Sequence, residues 1–260
     1  MPDRRIIDAQ APEDAQTGEA RQSTTTRKDA VVPEGIDWTL FDKLHAAAIS
    51  ADRDDCLECL GAALKGGISP IDMSDLYIPE LARRMGGQWC EDQLGFAQVT
   101  IGVSRLQAML RQLGPAWRSD RSAGADAPAI LLVVPHDVHH TLGAMVLSGQ
   151  LRRKGLSVRV MLSARPSEVA DRVRQTDYNA VFVSASQGET LESLRLIVDA
   201  VKTAIDRPPP VVIGGTVLDI HAVNDVALLT GADYATAQAD EAIAFCDLTT
   251  KPHSKTSNRT

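Results

Sequence analysis

Residues Ala129 to Gly149, AILLVVPHDVHHTLGAMVLSG, run from an apolar segment through a proline and three histidines into a second apolar segment with helical spacing. Ile130 to Val134 are all bulky and apolar, the composition of a strand buried on both faces, as parallel strands are. His136, His139 and His140 then fall at the strand's carboxyl end, where open α/β sheets place their ligands. Gly143 stands three residues after His140, which makes an HxxG step into a helix from Thr141 to Lys154. A histidine at such a place offers a ring nitrogen to a metal. A nearby glycine lets a bulky planar group approach the backbone.

Downstream of this stretch, strand-like and helix-like runs alternate. Strands are expected at Ala129 to Pro135, Ser157 to Leu162, Ala180 to Ser184, Pro210 to Ile213 and Tyr234 to Thr236. Helices are expected from Thr141, Pro166, Glu189 and Ala239, with a short one near Asp219. Five βα units of this length predict an α/β fold with a doubly wound, flavodoxin-like (Rossmann-like) five-stranded parallel sheet.

Upstream, from Trp38 to Trp117, the period is helical. Cys56, Cys59, Leu60, Ala63 and Leu64 form one apolar stripe, and Val99, Val103, Leu106, Leu110 and Leu113 form another. Glycines at Gly66-Gly67, Gly86-Gly87 and Gly114 read as stops, so about four helices are expected in a small bundle. The expected organisation is a polar tail over 1–34, a helical domain over 35–118, a linker over 119–128, the sheet domain over 129–249 and a second polar tail over 250–260. The tails carry too few apolar residues to offset their chain entropy and are expected to be disordered.

The chain has 260 residues, a formal net charge of -7 and four cysteines. The acidic balance argues against direct phosphate-backbone binding. Scattered cysteines do not make a disulfide scaffold; the Cys56–Cys59 pair sits in a helical stripe and reads as two buried thiols. No apolar span is long enough to cross a membrane and no signal-like segment opens the chain, so a cytoplasmic protein is expected. Nothing resembles a catalytic dyad, a triad or a P-loop, and a non-catalytic sensor is the expectation.

The HxxG step resembles the DxHxxG signature of cobalamin-binding domains, in which the histidine ligates cobalt from below. Counted back from Gly143, the histidine falls on His140 and the aspartate position on Val138, with Asp137 one residue early. His140 is the candidate cobalt ligand, with His139 the alternative one position away. Leu76 to Thr100, LYIPELARRMGGQWCEDQLGFAQVT, resembles the helical cap of methionine synthase, corrinoid methyl-transfer proteins and light-dependent cobalamin repressors. That resemblance implies that Trp89 and Phe96 lie over the corrin's upper face. The Glu-His pair of the photosensitive repressors would fall on Val99 and Thr100.

FVSAS places Ser184 and Ser186 at the family's SxL. Ser184 is thereby implied to reach the cofactor's dimethylbenzimidazole tail, and Ser186 stands where leucine is usual. Gly214-Gly215 after the fourth strand, and Gly231 opening GADYATAQADEA, match later loops of the same domains. WCEDQLGFAQVTIGVSRL and HHTLGAMVLSGQLRR together are most similar to the PpaA/AerR family of photosynthesis-gene antirepressors of purple bacteria. The resemblance implies cobalamin as cofactor, in adenosyl, methyl or hydroxo form, with haem as the alternative. As partner it implies a redox-responsive repressor of photosynthesis genes of the PpsR/CrtJ type.

Three functions follow from these readings: a cobalamin-binding regulator, responsive to light by resemblance; a corrinoid carrier for methyl transfer; and a haem or zinc site on the three histidines. The regulator is preferred, because the carrier reading wants the aspartate that Val138 replaces. Its partner is expected to be a protein and not DNA. The first 34 residues are too short and too polar to fold as a helix-turn-helix.

Overall fold

The computed structural model describes residues 35–114, 126–136 and 141–248. The two polar tails, most of the expected linker, and His139 and His140 lie outside the described residues.

Helix α1 (Trp38–Ile49) begins where the Asp37 carboxylate accepts the N–H groups of Thr39 and Leu40 at 2.9 and 3.1 Å, satisfying donors that a helix start leaves open. Its last carbonyls are met from outside, since Arg105 donates to the carbonyls of Ala47, Ala48 and Ser50 at 3.3, 3.0 and 2.7 Å. Helix α2 (Asp55–Lys65) stops at Gly66, with Gly67 in a left-handed conformation.

The third helical run is α3 (Pro70–Asp72), a π turn (Met73–Tyr77) and α4 (Ile78–Cys90) without a break. The widening has a covalent cause. Pro79 has no N–H and its ring would meet the carbonyl four residues back, so Ile78 reaches five residues back, to Met73, and the turn opens around the proline.

The glycine pair Gly86-Gly87 does not stop this helix, which continues to Cys90. Each helical glycine costs only about 1 kcal/mol. Continuing the helix carries Gln88 to His45 on α1, 2.8 Å away. The stop comes at Glu91, followed by Asp92 with φ 57. Helix α5 (Phe96–Leu113) closes the bundle and ends at Gly114.

The sheet follows, with β1 (Ala129–Pro135), α6 (Leu142–Arg153), β2 (Ser157–Ala164), α7 (Pro166–Gln175), β3 (Ala180–Ser184), α8 (Leu191–Lys202), β4 (Val211–Gly214), a 3-10 turn (Thr216–Asp219), α9 (Val223–Thr230), β5 (Tyr234–Ala235) and α10 (Ala239–Phe245). All four strand pairings are parallel, in the order β2-β1-β3-β4-β5. That is the flavodoxin-like order, whose reversal point lies between β1 and β3.

Alternate residues of each strand serve opposite faces. Leu131, Val133, Val181, Val183, Val211 and Ile213 pack with residues of α7, α8 and α9. Ile130, Leu132, Val134, Ala180, Phe182 and Val212 pack with residues of α6 and α10.

Helix α6 belongs to two cores at once. Ala144 and Leu151 join the sheet cluster, while Leu142 and Val146 join Phe41, Leu44, Tyr77, Met85, Leu106 and Met109 of the bundle. Two polar contacts reinforce the seam. Arg153 pairs with Asp75 in the π turn, and Gln107 of α5 donates to the Thr141 hydroxyl at 3.1 Å. The helix that leaves the histidine loop is therefore the element that ties bundle to sheet. None of the described helices is long and apolar enough to cross a membrane.

Candidate functional site

The carboxyl ends of β1, β3, β4 and β5 form one rim. His136 follows β1, with its N–H on the carbonyl of Ala164 at 3.0 Å. Ser184 ends β3 and lies in register with Gly214 of β4. The Ala185 N–H donates to the carbonyl of Gly214 at 2.8 Å. A Cβ at Gly214 would stand 2.7 Å from the carbonyl oxygen of Thr236, and one at Gly215 would stand 2.2 Å from that of Ala185. Ser184, Gly214 and Gly215 are thus brought together, and the loops after β3, β4 and β5 meet backbone to backbone.

Gly143 sits in the first turn of α6, exposed, and a Cβ there would meet nothing within 4 Å among the described residues. Gly231 is elsewhere. It ends α9 with φ 75, and it precedes β5, on the amino-terminal side of the sheet. Its left-handed backbone is that of a helix stop, and the structure does not bring it to the rim.

Ser186 contributes through its backbone, whose N–H is held by the Glu189 carboxylate. Glu189 was expected to start a helix. Instead it belongs to the turn, and Thr190 caps α8 by accepting the Ser193 N–H at 3.1 Å. The second oxygen of Glu189 is buried without a hydrogen-bond partner among the described residues, and burial raises its pKa above the ordinary carboxyl value. The hydroxyl of Ser148, a residue 3% exposed on α6, is likewise buried without a partner. Sequence reasoning missed both residues. For Ser148 the signal was a hydroxyl placed in the same stripe as Ala144 and Leu151.

In the bundle, α4 ends at Trp89-Cys90 and α5 begins at Phe96, so the turn between them delivers two aromatic rings to one place. Their centroids are 6.4 Å apart and the planes are tilted by 57°. Trp89 is 47% exposed and Phe96 is 71% exposed. Trp89 therefore presents about half, and Phe96 most, of an apolar surface that their own bundle does not cover. Val99 and Thr100 lie one helical turn on, and Thr100 spends its hydroxyl on the carbonyl of Phe96 at 2.8 Å.

Among the described residues no group of three or more His, Cys, Asp or Glu could hold a metal ion. Cys56 faces Met109 at 3.3 Å, and burial pushes its thiol up to about 11. The Cys59 thiol is raised for the same reason. Neither is poised as a thiolate ligand or nucleophile.

The residues present suit a corrinoid. A glycine in the first turn of α6, a serine at the reversal point and two buried polar atoms without partners among the described residues, at Ser148 and Glu189, are features a large, partly polar cofactor can use.

Comparison with known proteins defines the class. Residues 128–244, which include all five strands, match the B12-binding domain family. The chain is 34% identical over 165 residues to the "Uncharacterized 20.5 kDa protein in bchF-crtJ intergenic region" of Rhodobacter capsulatus, across 64% of this chain and 85% of that one. This chain belongs to the same family as that protein. Among solved structures, the monomethylamine corrinoid protein of Methanosarcina barkeri shares the fold, with a TM-score of 0.65 at 16% identity over 82% of this chain and 99% of that one. Since the overlap exceeds the sheet, bundle and sheet together make up the shared fold.

Proposed function

We propose that the protein is a cobalamin-binding regulator that acts on transcription through a repressor protein. The observation that carries the cofactor reading is the exposed Trp89–Phe96 pair in a chain whose sheet matches the B12-binding domain family. Exposed paired rings are costly on a lone bundle and useful over a flat ligand, from which they exclude water. Eleven positions along α5, about 16 Å at 1.5 Å per residue, separate Phe96 from Gln107, which touches Thr141 beside the histidine loop. A large macrocycle suits that span; a small metabolite does not.

In this reading His140 would hold the cobalt, with His139 the alternative. Gly143 gives the corrin room, and Ser184, with Ser148 and Glu189, offers polar contacts to its lower parts. Trp89 and Phe96 would cover the corrin and keep water from it. Cobalamin would supply an exchangeable cobalt ligand, while the protein holds and shields it.

The regulatory half rests on the relative's position between bchF and crtJ, in a photosynthesis gene cluster. It also rests on the resemblance to the antirepressors. Helix α6 gives a physical route, because it carries the histidine loop at one end and is packed into both cores, so a ligand at its start can bias the whole molecule. The test is a titration of purified protein with the photosynthesis-gene repressor, with and without hydroxocobalamin, beside a DNA mobility shift. Cobalamin-dependent binding to the repressor and no specific shift by the protein alone are expected. Sequence-specific DNA binding with no cobalamin-dependent repressor binding would overturn the reading. Transfer of a cobalt-bound methyl group to a methyltransferase's acceptor would favour the corrinoid carrier.

A further inference from the structure

His45 is 8% exposed in the middle of α1, and its one hydrogen bond to a side chain crosses to α4, from Nε2–H to the Gln88 Oε1 at 2.8 Å. Gln88 is the residue before Trp89. Its own carbonyl accepts the N–H groups of Gln93 and Leu94 at 2.8 and 3.3 Å, so one residue closes the turn that carries Trp89 at its start and delivers Phe96 at its end. Leu94 is buried and anchors that turn in the bundle core. The charged groups facing His45 are Asp42 on its own helix and Arg84 on α4. These two pair with each other at 2.7 Å, and Arg84 also lies over the Phe41 ring, 5.4 Å from its centroid.

We propose that His45, reaching Gln88 across the seam between α1 and α4, is the positioning residue of the Trp89–Phe96 platform, and that capture of a large planar ligand on those rings weakens when His45 takes up a proton. The inference rests on the cobalamin reading of the platform and adds to it a residue that touches no ligand. The hydrogen bond itself survives protonation, since Nε2–H donates in either state. What changes is the charge of a nine-tenths buried ring beside the Arg84 guanidinium. A cation there gains by moving toward water, and the seam that holds Gln88 loosens. Burial is the first cause that holds the ring's pKa below its ordinary value, so the change falls on the acid side of 6.5.

The experiment uses the full chain with Trp38→Phe and Trp117→Phe, which leaves Trp89 as the only tryptophan. Acrylamide quenching of the cofactor-free protein and hydroxocobalamin affinity are followed from about pH 7.5 to pH 5, the range in which histidines titrate. The chain carries other histidines, so the comparison that decides is with His45→Gln, whose amide can still donate to Gln88 and cannot become charged. His45→Gln is expected to keep the acrylamide quenching of Trp89 constant at every pH and to lose the part of the acid weakening that His45 causes, several-fold in affinity. His45→Leu should raise the acrylamide quenching of Trp89 at neutral pH and weaken hydroxocobalamin several-fold, with His45→Gln restoring both. An acid response of Trp89 as large in His45→Gln as in the parent would overturn the proposal, and that comparison holds even if His45→Leu fails to fold. Trp89 exposure that follows His45 while hydroxocobalamin affinity does not would overturn the ligand half of the proposal, and with it the cobalamin reading of the platform.

Discussion

Gly215 lies with its α-carbon against the carbonyl of Ala185, so close that an added Cβ would stand 2.2 Å from that oxygen. Its φ of 106° and ψ of -171° belong to a region that only glycine enters freely. Gly215→Ala therefore meets both backbone strain and a collision, and should cost about 3 kcal/mol or more. Gly231→Ala, at φ 75° with nothing within 4 Å of the new methyl, should cost only about 1 kcal/mol, the left-handed penalty alone. Urea melts of the two variants check this, and equal losses would contradict the packing of the rim loops.

His45 and Glu189 give stability slopes of opposite sign. The pKa of folded His45 lies below the ordinary 6.5 because of burial, so the unfolded chain binds its proton first and stability falls as pH drops below about 6.5. His45→Gln should flatten that limb. Glu189 has a raised pKa, again from burial, so its charge opposes folding at pH values above that pKa, and the penalty fades as pH falls through it toward 4.5. Glu189→Gln should accordingly raise the urea midpoint at pH 7 and leave it unchanged near pH 4. A loss of stability at pH 7 would mean that the bond to the Ser186 N–H outweighs the cost of the charge.

Much of this fold is written in local patterns. Ile130 to Val134 and Ala180 to Val183 are uninterrupted apolar runs with turn residues after them, and β1 and β3 take the expected bounds. β2 runs two residues past Leu162, because an edge strand with exposed Leu162 and Ser163 carries no apolar signal there. Gly86-Gly87 and Gly231 show why a glycine is ambiguous. The first pair reads as a helix stop but sits inside a helix held by Gln88 and the bundle core, and the other reads as a loop of the ligand rim but ends a helix on the far side of the sheet. Ser148 shows itself only as a hydroxyl in the apolar stripe of Ala144 and Leu151, and Glu189 could not be singled out, since being buried without a partner depends on tertiary neighbours. The choice between His139 and His140 turns on a single residue of register, which periodicity cannot fix.

Trp89 should report the cofactor directly. Hydroxocobalamin bound against the Trp89–Phe96 pair should quench a large share of the tryptophan emission, and Trp89→Phe should lose that share, leaving the quenching of Trp38 and Trp117. Removing either ring as Trp89→Ala or Phe96→Ala should weaken retention by roughly tenfold, about 1–2 kcal/mol for an aromatic surface of this size. Identical quenching in wild type and Trp89→Phe would remove the platform from the site.

The central claim is tested most directly by the absorption spectrum of the protein after incubation with hydroxocobalamin and desalting. Wild type and His136→Ala should retain the cofactor with the same spectrum, one of histidine-ligated cobalt and distinct from that of haem. His140→Ala should lose the cofactor or shift the spectrum to that of a water-ligated form. Loss in His139→Ala with retention in His140→Ala would move the ligand by one residue. A wild-type protein that retains no cobalamin, or takes up haem in its place with an unchanged spectrum in both histidine variants, would contradict the account.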